Sequence, residues 1–576
     1  MTMADFDLII RGGQIHDGTG RDPFIADVAI RNGFIAAVGS VAGSGKREID
    51  ASGKLVTPGF VDIHTHYDGQ VTWENRMMPS SSHGVTTVVM GNCGVGFAPC
   101  RAEDRQKLVE LMEGVEDIPE VVMTTGLPWS WETFPEYLDV VGSRPYDVDV
   151  AAFLPHSCLR VYVMGERGVN RENAAEADLT EMTRIAEEAM RAGAMGFATS
   201  RSIFHRDRNG VPIPTKDSIE PELEAVGQGM KSAGHGVLEA LIDFEDVDAE
   251  FGLLRRVSER NNLSLTFTVA QLLDNPRGWE RALELIDEAN AGGLNVKGQV
   301  IGRPTGLLLG LDLSFNPFSL NPSYQAIAAL PLAERVAEMR KPEVRTRILA
   351  DKPAGAKLKL LDYLHAFHRI FELGDPPNYA PPPDTSIAAM AERKGVDALE
   401  VAYDLLLKKD GNAVLFVPVG NYADGNLDAV TRLLTDDNTI MGLGDGGAHY
   451  GVICDAGYPT FMLTYWGRDK AGLKLPVAQI IKGLTCDTAE FIGLHDRGRI
   501  APGYKADINI IDFDRLRLHA PRPVFDLPAN GRRLVQDADG YAATIVSGEI
   551  TYEDGKPTQA LPGKLVRGPQ AEPMPA

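Results

Sequence analysis

Cysteine is scarce in this sequence. Five residues (Cys93, Cys100, Cys158, Cys454 and Cys486) in a chain of 576 are too few and too scattered for a disulfide framework. A reducing cytoplasm is the expected compartment. Long apolar runs are missing as well: no stretch approaches the roughly 18 consecutive apolar residues of a membrane-spanning helix. The opening MTMADFDLII lacks the basic start and long apolar segment of a secretory signal. Basic charge is outnumbered, with 57 Lys and Arg against 80 Asp and Glu for a net −23. Such a chain has no basic field to displace counterions from phosphate, so nucleic acid is excluded as a partner. What remains, 44% hydrophobic and 24% charged, is ordinary for a soluble globular enzyme. The length suggests about two to four domains.

Residues 5–57 read as short strands separated by turns, with Asn32-Gly33 as a hairpin signal between two apolar runs. From Thr57 the texture changes to short apolar runs alternating with amphipathic helical segments, the pattern of βα units on a parallel sheet. Eight candidate strands stand out: 60–66, 86–92, 148–156, 193–200, 236–243, 263–271, 294–302 and 440–445. Eight such units predict an α/β fold, a (β/α)8 TIM-like barrel over 58–485. A long insertion at about 304–436 falls between the last two strands, where it would overlie the catalytic mouth as a lid or project as a peripheral excursion. Residues 486–576 return to β texture and, with 1–57, predict a small composite β-sandwich built from both termini.

The strongest local signal is PGFVDIHTHYDG (58–69). His64 and His66, two apart on a strand, point to one face. At the C-terminal end of a first barrel strand that face is the mouth, where both imidazoles can reach one metal ion. Cys93 follows the second strand in Gly-Asn-Cys-Gly, and Asp445 ends the last strand in GLGDGGAHYG (442–451). A thiolate is a strong zinc ligand, whereas a lone cysteine is otherwise a small buried thiol.

These pieces, together with SSHGVTTVVMGNCGVGFAP (81–99), LPHSCLRVYVMG (154–165) and GRIAPGYKADINIID (498–512), span nearly the whole chain. In this order they resemble the amidohydrolase superfamily, and within it the N-acyl-D-amino-acid deacylase (D-aminoacylase) group. The resemblance implies a small β domain joined to a metal-bearing barrel and one or two Zn2+ ions. It implies Cys93 as a metal ligand and Asp445 as the metal-binding residue that shuttles the proton to the leaving amine. His156 matches the family's strand-three histidine, placed to help polarise a carbonyl; a buried structural histidine is the alternative. His449 lies near the rim as a ligand, an oxyanion donor or a plain loop residue.

The pattern breaks at strands five and six, where the family supplies two further metal-binding histidines. None of the 12 histidines falls there; strand five offers Glu239, and strand six Thr268 and Gln271. A carboxylate amid Val, Leu and Ala is costly to bury unpaired. Glu239 is therefore expected to bind metal, to pair with an arginine such as Arg201 or Arg303, or to face outward. Arg160, Arg201 and Arg303 lie at strand ends, each able to hold a substrate carboxylate in a bidentate grip or to form a structural ion pair. The expected function is metal-dependent hydrolysis of the amide of an N-acyl amino acid, D-configured or not, a small-molecule and carboxylate-bearing substrate. Hydrolysis of a cyclic amide, lactone or aryl-amide needs the same machinery, and a retired barrel acting as a binding protein is the reading from another class. A homo-oligomer is compatible with the sequence.

Overall fold

The strand-like runs at the two ends of the chain pair with one another. The computed structural model describes residues 4–354 and 360–574. In it Phe6–Ile15, Phe24–Arg31, Phe34–Gly39, Gly45–Asp50 and Leu55–Pro58 share a sheet with Ile508–Ile511, Tyr541–Val546, Glu549–Glu553 and Lys556–Pro557. The seam is antiparallel, with Val56 opposite Ile510. Asn32 and Gly33 turn the first hairpin at φ 53° and 81°, the left-handed pair that a type I′ turn requires. The hydrogen bonding makes one nine-stranded sheet where the sequence predicts two stacked layers. The reason lies in Phe6–Ile15, which changes partner midway: Leu8–Arg11 run beside Arg47–Asp50, and Gln14–Ile15 beside Leu55–Val56. Its register shifts between Ile10 and Gly13, where Gly12 takes φ +63° and a Cβ at Gly13 would lie 2.3 Å from a Val56 methyl. The strand bends there and carries both stretches in one sheet.

The eight apolar runs of the middle become short parallel strands: Phe60–Asp62, Val85–Met90, Asp149–Ala152 (continued by Leu154–Pro155), Gly196–Ser200, Val237–Leu241, Ser264–Thr268, Val296–Val300 and Thr439–Met441. They hydrogen-bond as two sheets, one of the first three and one of the others. The sheets meet around Phe153, whose N–H donates to Met90 while the carbonyl of Ala152 accepts from Met195. At the other margin Thr65 bridges Gly446 in parallel. Amphipathic helices connect the strands. Glu176–Ala192 buries Met182, Ile185, Ala186, Ala189 and Met190 at helical spacing and stops at Gly193, φ 115°.

Between the last two strands the chain leaves this arrangement. Thr305–Leu309, Leu415–Gly420 and Phe371–Glu372 form a small antiparallel sheet, packed with helices such as Leu332–Met339 and Ala398–Leu406. The excursion has its own apolar core, including Leu309, Phe318, Met339, Leu406 and Val417. It leans on the turn after Asp445, where Leu308 donates to Val452 at 2.7 Å and Ser314 to Gly451 at 3.1 Å. Among the described residues no helix is long and apolar enough to cross a membrane.

Candidate metal centre

Past Asp62 the chain stays extended, its amides held by neighbours: Thr65 donates to Val89 at 3.0 Å and His66 to Gly446 at 2.7 Å. Alternation then puts His64 and His66 on one side, with ring centroids 5.5 Å apart and both side chains buried. Cys93 sits in a left-handed turn, with φ 87° at Gly91, 55° at Cys93 and 65° at Gly94. A Cβ on Gly94 would meet the Ala198 carbonyl at 2.7 Å, so glycine there lets the turn press against the strand Gly196–Ser200. The turn aims the thiol at His64, Sγ to Nε2 3.5 Å. Asp445, at φ 47°, brings Oδ1 to 3.5 Å from His64 Nε2 and 3.7 Å from His66 Nε2.

His64, His66 and Cys93 offer donor atoms within 4.8 Å of one another. Zinc–nitrogen and zinc–sulfur bonds arranged tetrahedrally give donor–donor edges of roughly 3.3–3.6 Å. The observed 3.5, 3.5 and 3.7 Å match that scale, and a mixed thiolate, imidazole and carboxylate set suits zinc. The other ring nitrogens are engaged from behind: His64 Nδ1 meets Gln299 Oε1 at 2.8 Å, and His66 Nδ1 faces Glu116 Oε1 at 3.4 Å. Both Nε2 atoms are thereby left to the shared space.

The electrostatics of these groups suit a cation. Burial pushes the Cys93 thiol well above its usual range, with Glu239 adding to it, and lifts the Glu239 carboxyl to about 8. Burial lowers His64 to about 4. It also acts to lower His66, but Glu116 and Asp445 outweigh it and raise that imidazole to about 9. Asp445 is held well below the usual carboxylate range against burial, by the hydrogen bond with His66 and the charge of both histidines. A bound divalent ion favours the anionic thiolate and carboxylates over these shared protons.

Glu239 faces inward and is fully buried, as two of its three readings require. No arginine touches it among the described residues. Its Oε2 accepts the Cys93 N–H at 3.2 Å, and its Oε1 lies 3.8 Å from His64 Nδ1 without a hydrogen-bond partner. It stands behind the donors, outside the three-donor cluster. His156 is placed differently from the expectation of a carbonyl-polarising group. Both its nitrogens are used, Nδ1 with Thr199 Oγ1 and Nε2 with Glu222 Oε1, each at 2.8 Å. Arg160 is paired with the same Glu222 and with the Glu172 carbonyl, Arg201 with Glu250 and Ser218, and Arg303 with Asp455 and the Cys454 carbonyl. Arg303 also lies 3.9 Å over the Tyr379 ring. Each of these guanidiniums thus has a carboxylate beside it, while Arg303 keeps its buried Nε and Nη1 without a hydrogen-bond partner among the described residues. His449 is at the rim, a fifth exposed, with Nε2 3.6 Å from Glu116 Oε2.

Three polar groups of the centre escape a reading of motifs. Glu116 ends the helix Arg105–Glu116, four residues after the buried Met112; a charge on the apolar face was its signal. Gln299 is the one side-chain amide in the strand Val296–Val300, on the same face as Lys297. His205, in the loop after Gly196–Ser200, has a buried Nδ1 without a partner. Burial, together with nearby His449 and His66, pushes it down to about 3. Nothing in its local sequence marks it.

With this geometry in place, known proteins give it a context. The amidohydrolase family model matches residues 47–552. N-acyl-D-glutamate deacylase of Alcaligenes xylosoxydans xylosoxydans is 25% identical over 575 residues, covering 97% of this chain and 96% of that protein. D-aminoacylase of the same organism is 35% identical over 195 residues, 34% of this chain and 37% of that one. Among solved structures, D-aminoacylase superposes with a TM-score of 0.64 at 23% identity, covering 98% of this chain and all of that one. N-acyl-D-glutamate deacylase from Bordetella bronchiseptica, complexed with zinc and a phosphonate inhibitor, gives 0.64 at 22%, covering 98% and 99%. The matched span contains every donor of the centre, and the chain belongs to the amidohydrolase family.

Proposed function

We propose that this chain is a zinc-dependent hydrolase that cleaves the amide bond of an N-acyl amino acid, with His64, His66, Cys93 and Asp445 as its metal-binding residues. The observation that carries the reading is their convergence just beyond the C-terminal ends of parallel strands, where barrel enzymes place their chemistry. The eight strands, joined around Phe153 and through Thr65 and Gly446, are read as a closed (β/α)8 barrel over 58–485. Residues 1–57 and 486–576 complete the β domain in this reading, and 304–436 is the cover over the mouth.

Zinc held there supplies Lewis acidity toward the scissile carbonyl and the attacking water. The protein's own groups do the rest. Asp445, ionised and with its Oδ1 3.5 and 3.7 Å from the two Nε2 atoms, is the carboxylate placed to accept the water proton and return it to the departing nitrogen. Gln299 and Glu239 steady His64 from its Nδ1 side. Arg303, whose Nε and Nη1 are without partners among the described residues, and the histidines His205 and His449 are the groups offered to a substrate carboxylate. Ile203 and Phe204, exposed beside His205, offer an apolar surface to the acyl group. The relatives' names, D-aminoacylase and N-acyl-D-glutamate deacylase, favour D-configured substrates.

The test is a panel of N-acyl-D- and N-acyl-L-amino acids, hydantoins, lactones and aryl-amides with zinc-loaded protein. Release of free amino acid should be fastest from the N-acyl amino acids. Protein that binds stoichiometric zinc yet releases none, while opening cyclic amides or lactones, refutes the assignment.

A further inference from the structure

One buried carboxylate of the centre comes from outside the parallel strands. Glu116 closes the helix Arg105–Glu116 and is 1% exposed. Its neighbours on that face, Leu108, Met112 and Val115, are buried apolar residues. A carboxylate there would be costly without a partner, and the ones it has are two imidazoles. Oε1 lies 3.4 Å from His66 Nδ1, and Oε2 lies 3.6 Å from His449 Nε2. The same residue's main-chain carbonyl accepts the His449 N–H. The next residue, Asp117 at φ 52°, accepts the Gly451 N–H at 2.9 Å and the Ser314 hydroxyl at 3.0 Å. The helix end thus grips the 449–451 turn and reaches past it to His66.

We propose that Glu116 is a positioning residue that holds His66 with its Nδ1 proton toward the carboxylate and its Nε2 toward the metal, and ties that ligand to His449 at the mouth. The proposal rests on the metal centre described above. A carboxylate behind a ligating imidazole fixes its tautomer and ring orientation and raises the basicity of the ligating nitrogen. His64 has a neutral amide, Gln299, in the corresponding place. The two histidines are therefore unequal donors: His64 Nδ1 meets a neutral amide at 2.8 Å with the Glu239 carboxylate farther off at 3.8 Å, whereas the nearest group to His66 Nδ1 is the Glu116 carboxylate at 3.4 Å. His66 Nδ1 and Glu116 Oε2 are both buried and neither has a hydrogen-bond partner among the described residues, so the imidazole and carboxylate that face one another are each free for the other. One carboxylate serving both rings means that loosening it frees a metal ligand and a rim group together.

The test uses the full chain as E116A and E116Q beside wild type. Zinc affinity is measured by competition with a chromophoric chelator, coordination by the visible spectrum of the cobalt-loaded protein, and fold by melting of the metal-free protein. E116A should weaken zinc by about 10–100-fold. E116Q should lose less, because its amide oxygen still accepts the Nδ1 proton. Both should keep the wild-type cobalt band pattern, since no ligand is removed, and a metal-free melting temperature no lower than wild type. Should E116A fail to fold, E116Q still decides the matter. Zinc affinity within twofold of wild type in the folded variants overturns the proposal, and so does a cobalt spectrum that has lost a ligand, which would make Glu116 a metal ligand itself. Wild-type protein that binds no stoichiometric zinc overturns the centre and this proposal with it; wild-type binding beside unaltered variants overturns the proposal alone.

Discussion

Substituting Glu222 by glutamine tests whether His156 and Arg160 belong to the scaffold. Glu222 accepts from His156 Nε2 at 2.8 Å through Oε1 and pairs with Arg160 through Oε2, and all three side chains are buried. Breaking a buried ion pair by removing one partner costs about 3–5 kcal/mol, because it strands the other charge. At about 1.4 kcal/mol per decade, the folded-to-unfolded ratio should fall by a factor of about 10²–10³ or more. The assay is urea unfolding followed by fluorescence, comparing wild type, E222Q and the double variant E222Q/R160M. The double variant should recover most of the loss, since a well-packed apolar replacement of a buried pair is often neutral. The pH dependence has a definite sign. Burial would raise the Glu222 carboxyl, but the hydrogen bond from His156 and the charge of Arg160 bring it below its ordinary 4.5. A depressed acid stabilises the fold fully above its unfolded value, and that stability is lost as pH falls through the lower folded value. Wild type should therefore lose stability relative to the double variant only below about pH 4.5. E222Q with undiminished stability, and with turnover lost at full zinc occupancy, would refute the reasoning and return His156 to the chemistry.

Asp445→Asn removes the proposed proton carrier and should lower turnover by about 10²–10⁴-fold at saturating zinc, measured as initial rates on the best N-acyl amino acid; a loss under tenfold would rule out that role. Cys93→Ser should weaken zinc at least about tenfold and abolish the thiolate-to-metal band of the cobalt protein; a retained band would put the thiol outside the centre. Glu239→Gln should stay folded and weaken zinc about tenfold by loosening His64 and the Cys93 turn. Burial holds the Glu239 carboxyl up at about 8, so metal-free wild type should lose stability against this variant as pH rises from its ordinary 4.5 through 8. Parallel melting curves across that range would show that Glu239 carries no proton there.

Much of the scaffold is readable from local patterning, because each element answers to a local cause. The eight apolar runs are strands in the structure, since residues buried on both faces of a parallel sheet leave continuous apolar stretches. Asn32-Gly33 turns a hairpin because only such residues take two positive φ angles readily. His64 and His66 share a face for the same reason of period two. The single nine-stranded sheet was not readable, because it depends on a mid-strand change of partner at Gly12–Gly13 and not on the residues' polarity. The partners of Arg160, Arg201 and Arg303 were equally hidden: Glu222, Glu250 and Asp455 lie about 50 to 150 positions away along the chain, where no local pattern reaches. Glu116 lies between these extremes, a polar residue on an apolar helix face with a period that announces burial but not its purpose.

The residues that replace the family's two missing histidines give the departure a physical sense. On strand five the replacement is Glu239, whose two oxygens are directed at the Cys93 amide and the rear of His64. On strand six Thr268 has a buried hydroxyl without a partner, and the strand's continuation places Gln271 where its amide donates to Asp424 at 2.8 Å and accepts the Ala423 N–H at 3.0 Å. Gln271 thereby fastens the far end of the insertion to the sheet, and Asn421 completes the clasp by accepting the Gln271 N–H at 2.9 Å. Positions that could have supplied nitrogen donors instead hold the Cys93 turn and the chain at Asn421–Asp424. The insertion's attachment begins at the turn after Asp445 itself, where the Leu308 and Ser314 amides donate to Val452 and Gly451.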